Sequence, residues 1–135
     1  METFAEITAH VKKRFNVVHQ EKFVLGLEVP ADSDGRRQGV FLAEIKDTDD
    51  RRVLRLETTV APLADHDPEK VLRVNLMLRT GYLAVGDLEG VAFLKLCANL
   101  PYATLTTAAL DYTIERLAVL GDGMEKTLTG GGDYF

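Results

Sequence analysis

Residues 71–110 read VLRVNLMLRTGYLAVGDLEGVAFLKLCANLPYATLTTAAL, and the order of elements in this stretch decides the fold. It begins inside a helix that starts just upstream. Asp67 is placed to cap that helix, Pro68 fits the first helical position, and Glu69 sits near the positive end of the helix dipole. The spacing predicts a helix from there to about Arg79. Its apolar residues Val71, Leu72, Val74, Leu76, Met77 and Leu78 cover most of the circumference. One apolar stripe satisfies one sheet; two apolar sides call for a second contact, such as another subunit. Thr80-Gly81 ends the helix. Tyr82–Val85 reads as a strand, and Gly86-Asp87-Leu88-Glu89-Gly90 as a loop of turn residues. Val91–Ala98 reads as a further strand. It is apolar except for Lys95, which predicts a central strand or one covered on both faces. Pro101 closes it, and Thr106 or Thr107 caps the next helix.

Toward the C-terminus, Leu110, Ile114, Leu117, Gly121, Met124 and Leu128 recur at spacings of three and four, one face of a long helix. Gly121 and Gly123 are expected to weaken it by about 1 kcal/mol each relative to Ala. Residues 129–135, with Gly130-Gly131-Gly132, read as a flexible tail behind a single domain over 1–128.

Toward the N-terminus the period is two. Val53–Val60 alternates Leu54, Leu56, Thr58 and Val60 with Arg55, Glu57 and Thr59, one side for a core and one for water. Asp47-Thr48-Asp49-Asp50 is a turn before it, and Val40–Ile45 a strand before that. Pro30 to Gly35 holds the Asp-Gly pair of a hairpin. From Val17 to Val29 the alternation predicts one more strand, with Phe23, Leu25, Leu27 and Val29 on one face. The chain opens with Phe4, Ile7, Val11 and Phe15 on one helical face. Thr3 and Glu6 are spaced as a capping box, and Lys12, Lys13 and Arg14 fall in the last turn. The whole reads helix, three strands, helix, two strands, helix. This is an α+β pattern with helices packed on one antiparallel sheet.

Composition narrows the function. The chain has 135 residues, with 16 Lys and Arg against 21 Asp and Glu, a net charge of -5. That balance disfavours nucleic acid and anionic membrane surfaces as partners. One cysteine excludes an internal disulfide. No apolar run is long enough for a bilayer, and the N-terminal segment lacks the unbroken apolar core of a signal peptide, so a cytoplasmic protein is expected.

Chemistry is sparse. Asp65-His66-Asp67 offers metal-ligand types, but three neighbours cannot all face one ion without an irregular backbone, and a polar loop ending in a helix cap is the plainer reading. Asp32, Asp34, Asp47, Asp49 and Asp50 lack the frame of a calcium loop and read as hairpin turns. Cys97 lies in an apolar strand, where a small core residue is expected; His10, His19 and His66 show no spacing that pairs with it. The triple glycine follows a helix, the reverse of a phosphate loop. Ser33, the one serine, sits in a turn. No catalytic residue, metal or cofactor is expected.

The element order resembles the type III secretion chaperone fold, including the Tir-chaperone-like and YbjN-like families. Leu72, Asn75 and Leu76 match a Leu-x-x-Asn-Leu-like helix end, Asp87 and Gly90 match the turn, and Leu100-Pro101 matches the entry to the last helix. The resemblance implies a homodimeric, non-catalytic cytoplasmic protein that holds an extended segment of a partner. In such chaperones the second helix commonly contributes to the dimer, here through Val71, Val74, Met77 and Leu78. Phe4, Ile7 and Val11 either pack on the sheet, as an amphipathic helix does, or form a partner-binding patch. A small-ligand-binding or regulatory domain, using a cavity between sheet and helices, is the alternative.

Overall fold

The computed structural model describes residues 1–129; the Gly-rich tail expected over 129–135 falls, but for Thr129, outside them. The order is α1 (Phe4–Arg14), β1 (Asn16–Glu21), β2 (Val24–Pro30), β3 (Arg37–Lys46), β4 (Arg52–Pro62), α2 (Pro68–Asn75), β5 (Tyr82–Leu88), β6 (Val91–Pro101), a short 3-10 turn (Tyr102–Thr104) and α3 (Thr107–Thr129). The architecture is α+β, and all strands pair antiparallel in one open sheet, ordered β1-β2-β3-β4-β6-β5.

Four strands precede α2, not three. The stretch from Val17 to Val29 is a hairpin: Glu21 pairs Val24 across a two-residue turn, Lys22-Phe23. Neither residue is a turn former, so the alternation runs through the turn without a visible break. The other hairpins follow their turn chemistry. Asp32 Oδ1 accepts from the Asp34 and Arg36 amides, each at 3.0 Å, and Gly35 has φ of 85°. Asp47 Oδ1 accepts from the Asp49 amide at 2.8 Å and the Arg51 amide at 3.0 Å. These aspartates are engaged by their own turns. In the β5–β6 hairpin the turn is Glu89-Gly90, both at positive φ, so Gly86 and Asp87 lie in β5 and not in a loop.

One sheet face carries the core. Leu25 and Leu27 of β2, Val40 and Leu42 of β3, Leu54 and Leu56 of β4 and Leu94 and Leu96 of β6 form one buried cluster with side chains from all three helices. Strand alternation therefore turns Phe41, Arg55, Glu57, Lys95 and Asn99 to the other face, which no described helix covers. Of the two expectations for β6, a central strand or one covered on both faces, the first holds: it lies between β4 and β5, with the helix-packed core on one face.

Helix α3 lies across β2, β3, β4 and β6. Thr106 Oγ1 accepts from the Ala109 amide at 3.1 Å, which starts it. It runs through Gly121 and Gly123 without ending. At Gly121 an added Cβ would stand 2.6 Å from Thr58 Cγ2, so this glycine sets how closely α3 approaches β4. Beside it Asp122, 2% exposed, accepts from Arg36 Nε at 2.8 Å, and Lys126 bridges Asp122 at 3.4 Å and Asp32 at 3.0 Å. This network ties the β2–β3 turn to the C-terminal half of α3.

Candidate interaction surface

Helix α2 is short and two-sided. Asp67 Oδ1 accepts from the Glu69 amide at 3.0 Å, and Pro68 occupies the first turn, as the spacing predicts. The helix ends at Asn75, four residues before the expected end. At this last helical residue the Asn75 side chain binds the sheet: Oδ1 accepts from the Leu83 amide at 2.6 Å, and Nδ2 donates to the Leu83 carbonyl at 3.2 Å. Leu83 belongs to β5, an edge strand, so the amide side chain occupies backbone groups that a further strand would use.

The four residues read as a dimer surface divide between two sides. Val71 and Val74 are buried within this chain, 4% and 2% exposed, and belong to its core. Leu78 is half-buried against the same core. Met77 is turned out, 64% exposed, with Leu72 at 65% and Leu76 at 88%. The second apolar side therefore consists of Leu72, Leu76 and Met77, and no described element covers it.

On α1, Thr3 Oγ1 accepts from the Glu6 amide at 3.1 Å, the expected cap. Phe4, Ile7 and Val11 are all buried in the core. The packing alternative is where their surface is spent, and only Phe4 also reaches solvent-facing space. It lines an open groove of about 1150 Å³ between α1 and the β1–β2 hairpin, where its ring stacks on Phe23 with centroids 6.3 Å apart and planes 22° apart. Helix α1 is held to α3 by His10 Nε2 and Asp111 Oδ1 at 2.8 Å, with Arg14 reaching Asp111 at 3.4 Å and Glu115 at 3.5 Å.

The residues examined for chemistry are dispersed. Cys97 is 4% exposed, and burial pushes its thiol up to about 11, with the Glu57 carboxylate adding to the rise. A thiol held that far above neutrality is not a nucleophile at ordinary pH. His10 is engaged by Asp111, and His19 lies 3.6 Å from Glu21 on edge strand β1. Asp67 caps α2, and the His66 amide donates to the Leu63 carbonyl at 3.1 Å. Among the described residues no three or more His, Cys, Asp or Glu side chains converge as a metal site. No described helix is long and apolar enough to cross a membrane.

Sequence reasoning missed Asn75 as an edge clamp, although the residue was singled out; an Asn at a helix end just before a strand is the signal that could have found it. It also missed the groove, because Phe23 was assigned to a strand interior. No protein-family model matches this chain, and no curated protein matches it.

Proposed function

We propose that this chain is a non-catalytic protein-interaction module that associates with a second copy of itself and holds an extended segment of a partner. The observation that carries the reading is the outer side of α2. Leu72 on the helix, and Leu76 and Met77 in the turn that follows it, stand 64–88% exposed, while Val71 and Val74 of the same helix are buried. Exposed large apolar side chains close together in the chain are a mark of a contact surface. The sequence likeness of Leu72, Asn75, Leu76, Asp87, Gly90 and Leu100-Pro101 to type III secretion chaperones supports the same reading, with one more strand before α2 than the likeness implied.

A twofold contact presents the same patch from each copy. Six side chains would leave water, at roughly 1.5–3 kcal/mol each. Association costs roughly 4–15 kcal/mol in lost freedom. The balance leaves room for a dimer in the micromolar range, at about 8 kcal/mol.

Sedimentation velocity of the full chain at micromolar concentration tests it, with a species of twice the chain mass expected. Because Met77 is turned to solvent, Met77→Glu is expected to halve that mass while circular dichroism and melting stay native. A monomer at all concentrations, or a dimer unchanged in Met77→Glu and Leu76→Glu, overturns the reading.

A further inference from the structure

The groove beside α1 differs from the rest of the molecule in charge. Lys12 of α1, Lys22 of the β1–β2 turn, Lys46 at the end of β3 and Arg52 at the start of β4 all line it. Its acidic residues are two, Glu21 and Glu44. Four cations against two carboxylates give a local excess of two positive charges in a chain of net charge -5. Among the described residues none of the four forms an ion pair, whereas Arg14, Arg36, Arg73, Lys95 and Lys126 all do. The Arg52 guanidinium donates to the Glu2 carbonyl at 3.3 Å, and Lys22 Nζ lies 5.4 Å from the Phe23 ring centroid. Phe23, 46% exposed, and its stacked partner Phe4 give the groove an aromatic wall.

We propose that this groove receives an acidic peptide segment anchored by one apolar or aromatic side chain. The anchor packs on Phe23, and flanking carboxylates meet Lys12, Lys22, Lys46 and Arg52. The site is open to solvent, and its volume of about 1150 Å³ exceeds the roughly 300–1,000 Å³ of small-molecule pockets, which favours a stretch of chain over an enclosed small ligand. Unpaired surface cations attract an oppositely charged partner at long range and fix its register. The proposal rests on the interaction-module reading but uses a different surface: the groove lies at the β1–β2 end of the sheet order, and α2 packs on β5 at the other.

Random-peptide display against the full chain tests it, followed by fluorescence anisotropy of the labelled selected peptide. Selected peptides are expected to carry Asp and Glu around a Phe, Trp or Leu. Affinity is expected to fall about tenfold or more in Lys12→Glu/Lys46→Glu, to fall again with added salt, and to hold within about twofold in Lys70→Glu, a charge reversal on α2. If the double variant loses its native circular dichroism, Lys22→Glu in the hairpin turn gives the same readout. Failure to enrich any peptide, enrichment of neutral or basic peptides, or affinity unchanged by the reversals overturns the proposal. Binding that survives these reversals but is lost in Leu76→Glu overturns the groove and leaves the interaction module standing. Loss of the dimer in sedimentation with groove binding intact does the opposite.

Discussion

Gly121→Ala is a substitution for which helix propensity and packing predict opposite signs. On propensity alone, alanine in mid-helix stabilises by about 1 kcal/mol. The structure places the added Cβ 2.6 Å from Thr58 Cγ2, about an ångström inside the ordinary carbon–carbon contact of roughly 3.5–4.0 Å. Thr58 cannot easily turn away. Its hydroxyl donates to the Gly39 carbonyl at 2.6 Å and accepts from Gln38 Nε2 at 2.9 Å, so another rotamer forfeits both bonds. The relief available is to lift α3 from β4, which also pulls Asp122 from Arg36. Overpacking of this kind costs about 1–3 kcal/mol, so the net expectation after the propensity gain runs from about neutral to a loss of about 2 kcal/mol. Gly123 is the internal control, because a Cβ there meets nothing within 4 Å. Gly123→Ala should gain up to about 1 kcal/mol, near the full propensity difference. Urea denaturation of the two variants should therefore differ by about 1–3 kcal/mol, and melting temperatures by roughly 3–5 °C per kcal/mol. Thr58→Ser removes the offending methyl and keeps the hydroxyl. A double-mutant cycle with Gly121→Ala should return a favourable coupling of about 1–2 kcal/mol. If Gly121→Ala is as stable as Gly123→Ala, or the coupling is near zero, the close approach of α3 to β4 is not what fixes this glycine.

Asn75→Ala removes two hydrogen bonds to Leu83, at about 1 kcal/mol each, and frees the β5 edge; lower stability in urea together with higher light scattering at rising concentration is expected. Cys97 should resist thiol reagents at pH 8 until the chain unfolds, so labelling should track denaturation. Its thiol is raised from 9.0 to about 11 in the fold. The stabilising contribution of the neutral thiol is therefore present below about pH 9 and lost as pH climbs toward 11, and Cys97→Ala should flatten that alkaline limb. Arg36→Ala should destabilise more than Arg73→Ala, because the partner of Arg36 is a buried carboxylate and that of Arg73 is an exposed one. Burial of Asp32 works to raise its carboxyl, but the Arg36 and Asp34 amides and the Lys126 ammonium outweigh it and hold it below the usual range. That contribution is present above the ordinary carboxylate pKa and lost as pH falls below it, so Asp32→Asn should lessen the acid sensitivity of unfolding.

Most elements were legible because their signals are local. Asp67-Pro68, Asp34-Gly35 and the spacing from Leu110 to Leu128 each act within a few residues, and the structure has a helix start, a hairpin turn and a helix at those places. The errors have a common cause in long-range contacts. Lys22-Phe23 turns without turn formers because β1 can pair with β2, and Phe23 is rewarded by Phe4, nineteen residues earlier in the chain. Helix α2 stops at Asn75 because Leu83 of β5 offers its backbone. Gly121, a helix weakness by propensity, is a packing requirement set by Thr58 on β4. The groove was invisible for the same reason. Lys12, Lys22, Lys46 and Arg52 come from four elements, and only the fold brings them together.

The uncovered face of the sheet shows why α2, and not this broad surface, is the stronger place for a second copy. The face is wide but not needy. Lys95 Nζ meets Glu57 Oε1 at 3.0 Å across β6 and β4. Arg55 Nε donates to Asn99 Oδ1 at 3.0 Å, and Asn99 Nδ2 donates to the Tyr82 hydroxyl at 2.9 Å. Their residues flank Cys97 in the sheet register, and Cys97 is 4% exposed. Phe41 lies along Gly26, where an added Cβ would come within 3.0 Å of its ring. A partner docking here would have to strip water from charges that already have partners, and such pairs regain little on burial. At α2 and the turn after it the account is reversed: Leu72, Leu76 and Met77 have apolar surface in water and no polar group to desolvate at their tips. A glutamate at position 77 should therefore break association, whereas Lys95→Ala on the open face should leave the sedimenting mass unchanged. The reverse outcome would move the interface to the sheet.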